Sequence, residues 1–130
     1  MKGQAMIYYQ SVIGNTRAFV EKSGIEACEL TDLNYDQIKV DQPFILVAPT
    51  YDPSTTAILN DFLKEAGNWE YCRGIFGAGN RNFMDLFCYT AKNLASEFDL
   101  PLLHLFEFQG SDYDVNQLVK EHHARCQNVK

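Results

Sequence analysis

The chain has 130 residues, which predicts a single domain over residues 1–130 whose core needs no disulfide or metal for support. Its net charge of −6 argues against an extended nucleic-acid or anionic-membrane surface, since both require clustered Lys and Arg. The four cysteines form no C-x-x-C pair, so we expect free thiols and no metal site, with a redox role for Cys88 as the alternative. No signal peptide or bilayer-spanning run is evident, which predicts a cytoplasmic protein.

Apolar segments alternate with amphipathic ones along the chain. The pattern predicts strands over residues 5–9, 25–30, 43–49, 74–79 and 102–108. It predicts helices over residues 16–22, 54–66, 83–98 and 112–126, the second of them capped by Ser54 or Thr55. The run 43–49 is continuously apolar, which is typical of a strand covered on both faces. This order of elements predicts a parallel sheet with right-handed crossovers.

Three loops follow the carboxyl ends of predicted strands, where open α/β sheets bind their ligands. The first loop, residues 10–16, leads into a helix, so its backbone amides point where a helix N-terminus attracts anions. Ser11 and Thr16 add hydroxyl groups and Asn15 an amide, while Gly14 permits close approach of the backbone to a ligand. The loop contains no Lys, so a Walker-type site is excluded. Alone, this pattern fits a phosphate site and an ordinary turn capped by Thr16 about equally.

The second loop, residues 48–54, places Tyr51 beyond the end of a central strand, where its ring can lie against a planar ligand. A surface aromatic in a proline-stiffened turn gives the same pattern. The third loop, residues 77–83, has two glycines followed by Asn80, Arg81 and Asn82. It lacks the third glycine of a dinucleotide fingerprint, but its backbone and amide groups suit the polar rim of a heterocycle. A turn that caps the next helix is the alternative, and we favour the binding role.

These loops carry a resemblance to a known family. The matching stretches are Tyr8-Tyr9-Gln10-Ser11 with Gly14-Asn15-Thr16, Pro49-Thr50-Tyr51, and Gly79-Asn80-Arg81-Asn82-Phe83. Downstream, the matching stretches are Pro101-Leu102-Leu103, Phe106-Glu107-Phe108 and Gly110. On these stretches, which extend over nearly the whole chain, the protein resembles the NrdI family of flavodoxin-like activators of class Ib ribonucleotide reductase. The resemblance implies an α/β three-layer sandwich with a five-stranded parallel sheet in the order 2-1-3-4-5 and helices on both faces.

The resemblance also implies FMN as the cofactor and assigns residues to it. Those assigned to the phosphate and its turn are Ser11, Val12, Ile13, Gly14, Asn15 and Thr16. Those assigned to the two sides of the isoalloxazine are Thr50 and Tyr51, and Asn80, Asn82 and Phe83. The cofactor-binding set is completed by Pro49, Asp52, Gly79 and Met84. Arg81 is a candidate for electrostatic tuning of the flavin, with a solvent-directed side chain as the alternative, and no residue is expected to be catalytic itself.

The function implied is the use of reduced FMN to convert dioxygen into a superoxide- or peroxide-level oxidant. That oxidant would assemble the dimanganese-tyrosyl radical cofactor of the reductase small subunit. The expected partners are this subunit and a flavin-reducing system, without nucleic acid or membrane. The chain would be an accessory flavoprotein with oxidase-like activity and no metabolic reaction of its own. A general electron-transfer flavodoxin and a flavin-free binding module on the same fold stay open as alternatives.

Three residues depart from the family pattern. Ile13 stands where a hydroxyl residue is common, which removes one donor from the phosphate loop. Pro53 stands in a loop that is often glycine-rich and that moves with flavin redox state; proline fixes φ and has no N–H, so a backbone flip should be restricted. Met84 stands where a glycine commonly follows Phe83. These departures affect redox tuning more than binding.

Overall fold

Five parallel strands form one sheet in the computed structural model, which describes residues 6–126. The strands are β1 (Met6–Tyr9), β2 (Ala27–Glu29), β3 (Phe44–Ala48), β4 (Cys72–Gly79) and β5 (Leu102–Glu107). The α-helices are α1 (Asn15–Ser23), α2 (Pro53–Lys64), α3 (Tyr89–Phe98) and α4 (Asp112–Arg125), with 3₁₀ segments at Glu65–Tyr71 and Arg81–Leu86. The strand order is β2-β1-β3-β4-β5 and every neighbouring pair is parallel. This confirms the order that the resemblance implied.

Strand β3 is buried along its whole length and supplies both faces of the core. Leu46 belongs to the apolar cluster that contains residues of α2 and α3, whereas Ile45 and Val47 belong to the cluster that contains residues of α1 and α4. Because successive strand residues point to opposite faces, a continuously apolar strand requires a layer of helices on each side. The predicted three-layer α/β architecture is therefore confirmed.

Glycine in β4 allows α3 to pack closely on the sheet. A Cβ atom on Gly77 would lie 2.5 Å from the Cβ of Ala91 in α3, a distance at which one of the two elements would have to move. The close approach brings the first residue of α3, Tyr89, to the edge of the sheet where β3 and β4 end.

Several boundaries differ from those predicted. The helix predicted over 83–98 is wrong in its first part, because Met84 (φ 53°, ψ −115°) and Cys88 (φ 56°) have backbone angles that interrupt a helix. Helix α2 begins at Pro53 and has Asp52 as its N-cap, in place of Ser54 or Thr55. Strand β4 begins two residues before its predicted start, at Cys72. Residue 5, where the first strand was predicted to begin, lies outside the described residues.

All four cysteines are free, as predicted; three are buried and Cys28 is half-buried. Burial raises the pKa of the Cys72 thiol to about 12 and the pKa values of the Cys88 and Cys126 thiols to about 11. These buried groups are therefore protonated thiols at neutral pH and poor nucleophiles. Among the described residues, no helix is long and apolar enough to cross a membrane.

Candidate functional site

The three loops surround a cavity of about 480 Å³ at the carboxyl edge of the sheet. This volume lies within the roughly 300–1,000 Å³ that is usual for small-molecule sites. The lining residues are Ile13, Asn15, Thr16, Pro49, Thr50, Tyr51, Asp52, Ala78, Gly79, Asn80, Phe83, Leu86, Tyr89 and Phe108. Each of the three loops thus contributes to one cavity.

Most of the residues assigned from the sequence line this cavity. The assigned residues outside the lining are Ser11, Val12, Gly14, Arg81, Asn82 and Met84. The lining residues that the sequence assignment missed are Ala78, Leu86, Tyr89 and Phe108. A signal existed for Phe108, which lies in one of the family-like stretches. Tyr89 gave none, because the predicted helix placed it well inside regular structure and away from any loop.

The first loop presents backbone amides without acceptors. Gly14 is the N-cap of α1, has a left-handed backbone (φ 100°) and makes no side-chain capping bond, so the alternative of a turn capped by Thr16 does not hold. Ser11 Oγ accepts a hydrogen bond from the amide of Arg17 at 3.1 Å, which closes the loop onto the helix. Within the described residues, the amides of residues 12–16 find no hydrogen-bond acceptor. Such a set of free N–H groups at a helix N-terminus suits an anion.

The second loop is fixed by side-chain hydrogen bonds. Thr50 Oγ1 donates to the carbonyl of Ala78 at 2.6 Å, and the Tyr89 hydroxyl donates to the carbonyl of Tyr51. Both bonds attach the loop after β3 to elements that follow it in the chain. These two hydrogen bonds restrain the loop, and the Tyr51 carbonyl is already satisfied within the protein.

Asp52 caps α2 and carries the negative charge of the cavity lining. Its carboxylate accepts hydrogen bonds from the hydroxyls of Ser54 and Thr55, the second at 2.7 Å. These bonds lower the pKa of the Asp52 carboxyl below its ordinary value. Among the described residues that line the cavity there is no Lys, Arg or His, so the side of the cavity near Asp52 disfavours an anionic group.

Hydrogen bonds within the protein occupy much of the third loop. The amide of Arg81 donates to Glu107 Oε2 at 3.0 Å, and the amide of Asn82 donates to Asn80 Oδ1 at 2.9 Å. The amide of Phe83 donates to the Asn80 carbonyl at 3.0 Å. Fewer polar groups are left for a heterocycle rim than the sequence indicated.

Arg81 makes its side-chain contacts with protein groups. Its Nε lies 3.5 Å from Glu107 Oε1, and its guanidinium carbon lies 4.4 Å from the centre of the Phe87 ring. The ion pair offsets the positive charge with a neighbouring carboxylate. Arg81 thus brings no unpaired cation to the cavity lining.

Apolar side chains remain exposed around the cavity. Ile13 is 73% exposed, Phe83 62%, Leu86 56% and Phe108 50%, although all are large apolar residues of the lining. Exposed apolar groups gathered at a cavity indicate a binding site for an apolar ligand surface or a partner. Together with the first loop, they favour a ligand with an apolar part and an anionic end.

The backbone of Met84 lies in a region that favours glycine, which predicts a stabilising substitution. Holding a non-glycine residue there costs on the order of 1–3 kcal/mol. We expect Met84→Gly to raise the free energy of unfolding by about 1 kcal/mol relative to Met84→Ala, because both remove the exposed side chain but only glycine removes the Cβ. Urea unfolding measures the difference. A Met84→Ala protein as stable as Met84→Gly would contradict the strain.

The bond from the Tyr89 hydroxyl to the Tyr51 carbonyl predicts that Tyr89→Phe loosens the second loop. The expected loss is about 1 kcal/mol in the free energy of unfolding, with faster hydrogen exchange at the Tyr51 and Asp52 amides. Tyr113→Phe removes the same atom from an exposed ring on α4 and is the matched control. Unchanged exchange in Tyr89→Phe would show that the hydroxyl does not hold the loop.

Solved structures with the same fold include a flavodoxin and a response regulator. Oxidised Flavodoxin 2 from Bacillus cereus has a TM-score of 0.61 at 18% sequence identity and covers 90% of this chain and 93% of its own. A response regulator from Colwellia psychrerythraea has a TM-score of 0.56 at 11% identity and covers 95% and 99%. At these identities the likeness concerns the fold alone.

Comparison by sequence identifies the family as well as the fold. A family model described as NrdI Flavodoxin like matches residues 7–120. The proteins named Protein NrdI from Enterobacter sp. (strain 638) and Mycoplasma genitalium are 34% identical over 120 residues and 31% over 122 residues. The first match covers 88% of each chain, and the second covers 88% of this chain and 80% of the relative. The chain with this three-loop cavity belongs to the NrdI flavodoxin-like family.

Proposed function

We propose that this protein binds FMN in the three-loop cavity and uses it to activate the small subunit of a class Ib ribonucleotide reductase. The observation that carries the FMN part is the pairing of free backbone amides at one end of the site with an aromatic cavity at the other. FMN has the matching shape, an anionic phosphate joined by a flexible chain to a planar ring. Membership of the NrdI family supports the part that concerns the reductase.

The residues present suit both ends of FMN. The amides of residues 12–16 would bind the phosphate, with the hydroxyl of buried Thr16 beside them. Tyr51, Phe83, Tyr89 and Phe108 line the cavity that would hold the isoalloxazine, and planar aromatic ligands bind well against aromatic rings. A net charge of −6 does not prevent binding, because recognition at the first loop is local.

Bound FMN in its reduced state would supply electrons to dioxygen, yielding a superoxide- or peroxide-level oxidant. The chain's own residues set the conditions for that transfer. The Asp52 carboxylate, with no cation in the lining to offset it, opposes added negative charge in the cavity and so favours release of electrons. The exposed rim leaves the cavity open to dioxygen and to a partner.

The partner we propose is the dimanganese form of the small subunit, whose tyrosyl radical the oxidant would generate. A separate flavin-reducing system would return electrons to the protein, and all three would meet in the cytoplasm. The apolar rim around the cavity supports direct docking, because an oxidant passed between proteins is best protected from water at a contact surface.

Reconstitution tests the proposal. The FMN-loaded protein, chemically reduced, is mixed with the metal-free cognate small subunit, Mn(II) and dioxygen, and the tyrosyl radical is measured by electron paramagnetic resonance. We expect radical only when the loaded protein is present, with the apoprotein and free reduced FMN as controls. Bound FMN without radical formation would contradict the role at the reductase and favour the alternative of a general electron-transfer flavodoxin.

A further inference from the structure

We propose that Arg17, held in place by Glu29, recognises the phosphate of FMN and makes the protein prefer FMN to riboflavin. This inference rests on the proposed function, since it concerns the phosphate end of the same site. It adds a guanidinium donor, paired with Glu29, that the sequence did not assign, because the first loop itself contains no Lys or Arg.

Arg17 occupies an unfavourable place for a cation unless an anion is nearby. It is the third residue of α1, and no acidic residue lies in the first turn of that helix. The helix dipole makes this end partly positive, so a basic side chain here is destabilising by itself. The carboxylate of Glu29 offsets part of this cost.

Glu29 fixes the guanidinium from the neighbouring strand. Its Oε1 accepts a hydrogen bond from Arg17 Nε at 2.9 Å, and its Oε2 accepts one from Nη2 at 2.8 Å. The Tyr9 hydroxyl also donates to Glu29 Oε1, at 3.4 Å. A two-point contact with a carboxylate sets the plane of the guanidinium and spares a ligand much of the cost of ordering this side chain.

The remaining nitrogen of the guanidinium is near the first loop. Nη1 lies 3.8 Å from the position that a Cβ atom would take on Gly14, and within the described residues it has no hydrogen-bond partner. The backbone amide of Arg17 donates to Ser11 Oγ. Arg17 is therefore attached to the first loop by its main chain and brings two free N–H bonds close to it.

A phosphate monoester suits this arrangement better than a singly charged anion does. Its charge is between −1.5 and −2 at neutral pH, and its three terminal oxygens accept more hydrogen bonds than one group of amides can supply. The amides of residues 12–16 and the Nη1 of Arg17 together offer donors from two directions. Riboflavin has the same ring but no phosphate, so it cannot accept hydrogen bonds at this position from the amides or from Arg17.

The test compares the dissociation constants of FMN and riboflavin, measured by quenching of flavin fluorescence, for the wild-type protein and Arg17→Gln. We expect Arg17→Gln to weaken FMN binding about tenfold and to leave riboflavin binding unchanged. Arg125→Gln is the matched control, because it removes the same charge from an exposed Arg–Glu pair on α4. Arg17→Lys keeps the charge but lacks the planar fork, and we expect it to lose most of the preference as well.

The outcomes separate this inference from the proposed function. If wild type binds FMN while Arg17→Gln and Arg17→Lys keep the full preference, Arg17 has no role at the phosphate although the flavin site stands. Equal loss of FMN and riboflavin affinity would reveal a general structural role and also overturn the inference. If wild type binds neither flavin, the proposed function fails and the inference fails with it.

Discussion

The arrangement of the site depends on the burial of β3 on both faces. A strand that must be covered twice requires helices above and below the sheet, and the chain meets this requirement by placing α1 and α4 on one face and α2 and α3 on the other. The chain passes from β1 outward to β2 and then returns to β3 on the other side of β1. The loops after β1 and β3 therefore diverge at the carboxyl edge, and the crevice between them is where such sheets bind ligands.

The site has two kinds of surface, one polar and one mainly apolar. The first loop offers free amides, and the rest of the cavity lining, among the described residues, offers aromatic side chains, one carboxylate and no cation. Net charge has little influence at the first loop, because hydrogen bonds from oriented N–H groups act over a short range. The ion pair of Arg17 and Glu29 follows the same logic, since it adds donors near the loop without altering the charge balance of the region.

Much of this could be read from the sequence. The continuous apolar run of β3 predicted a doubly covered parallel sheet, and the loops after β1, β3 and β4 were located correctly. Tyr89 was missed because the backbone turns at Met84 and Cys88 interrupt the expected helix and place Tyr89 at the cavity. No residue propensity predicts such turns at Met or Cys. The Arg17–Glu29 ion pair was missed because the two residues lie on different elements. In the third loop, several backbone amides donate to groups of the protein itself. The sequence could not show this, because it does not reveal which amides already have an acceptor.

The most direct test of this account is whether the purified protein retains FMN. The protein is incubated with FMN, separated from free ligand by gel filtration, and its visible absorbance spectrum is recorded. We expect flavin bands in the blue and near-ultraviolet that elute with the protein at one FMN per chain, shifted by contact with the aromatic lining. A colourless protein after the same treatment would contradict the central claim that the three loops form a flavin site.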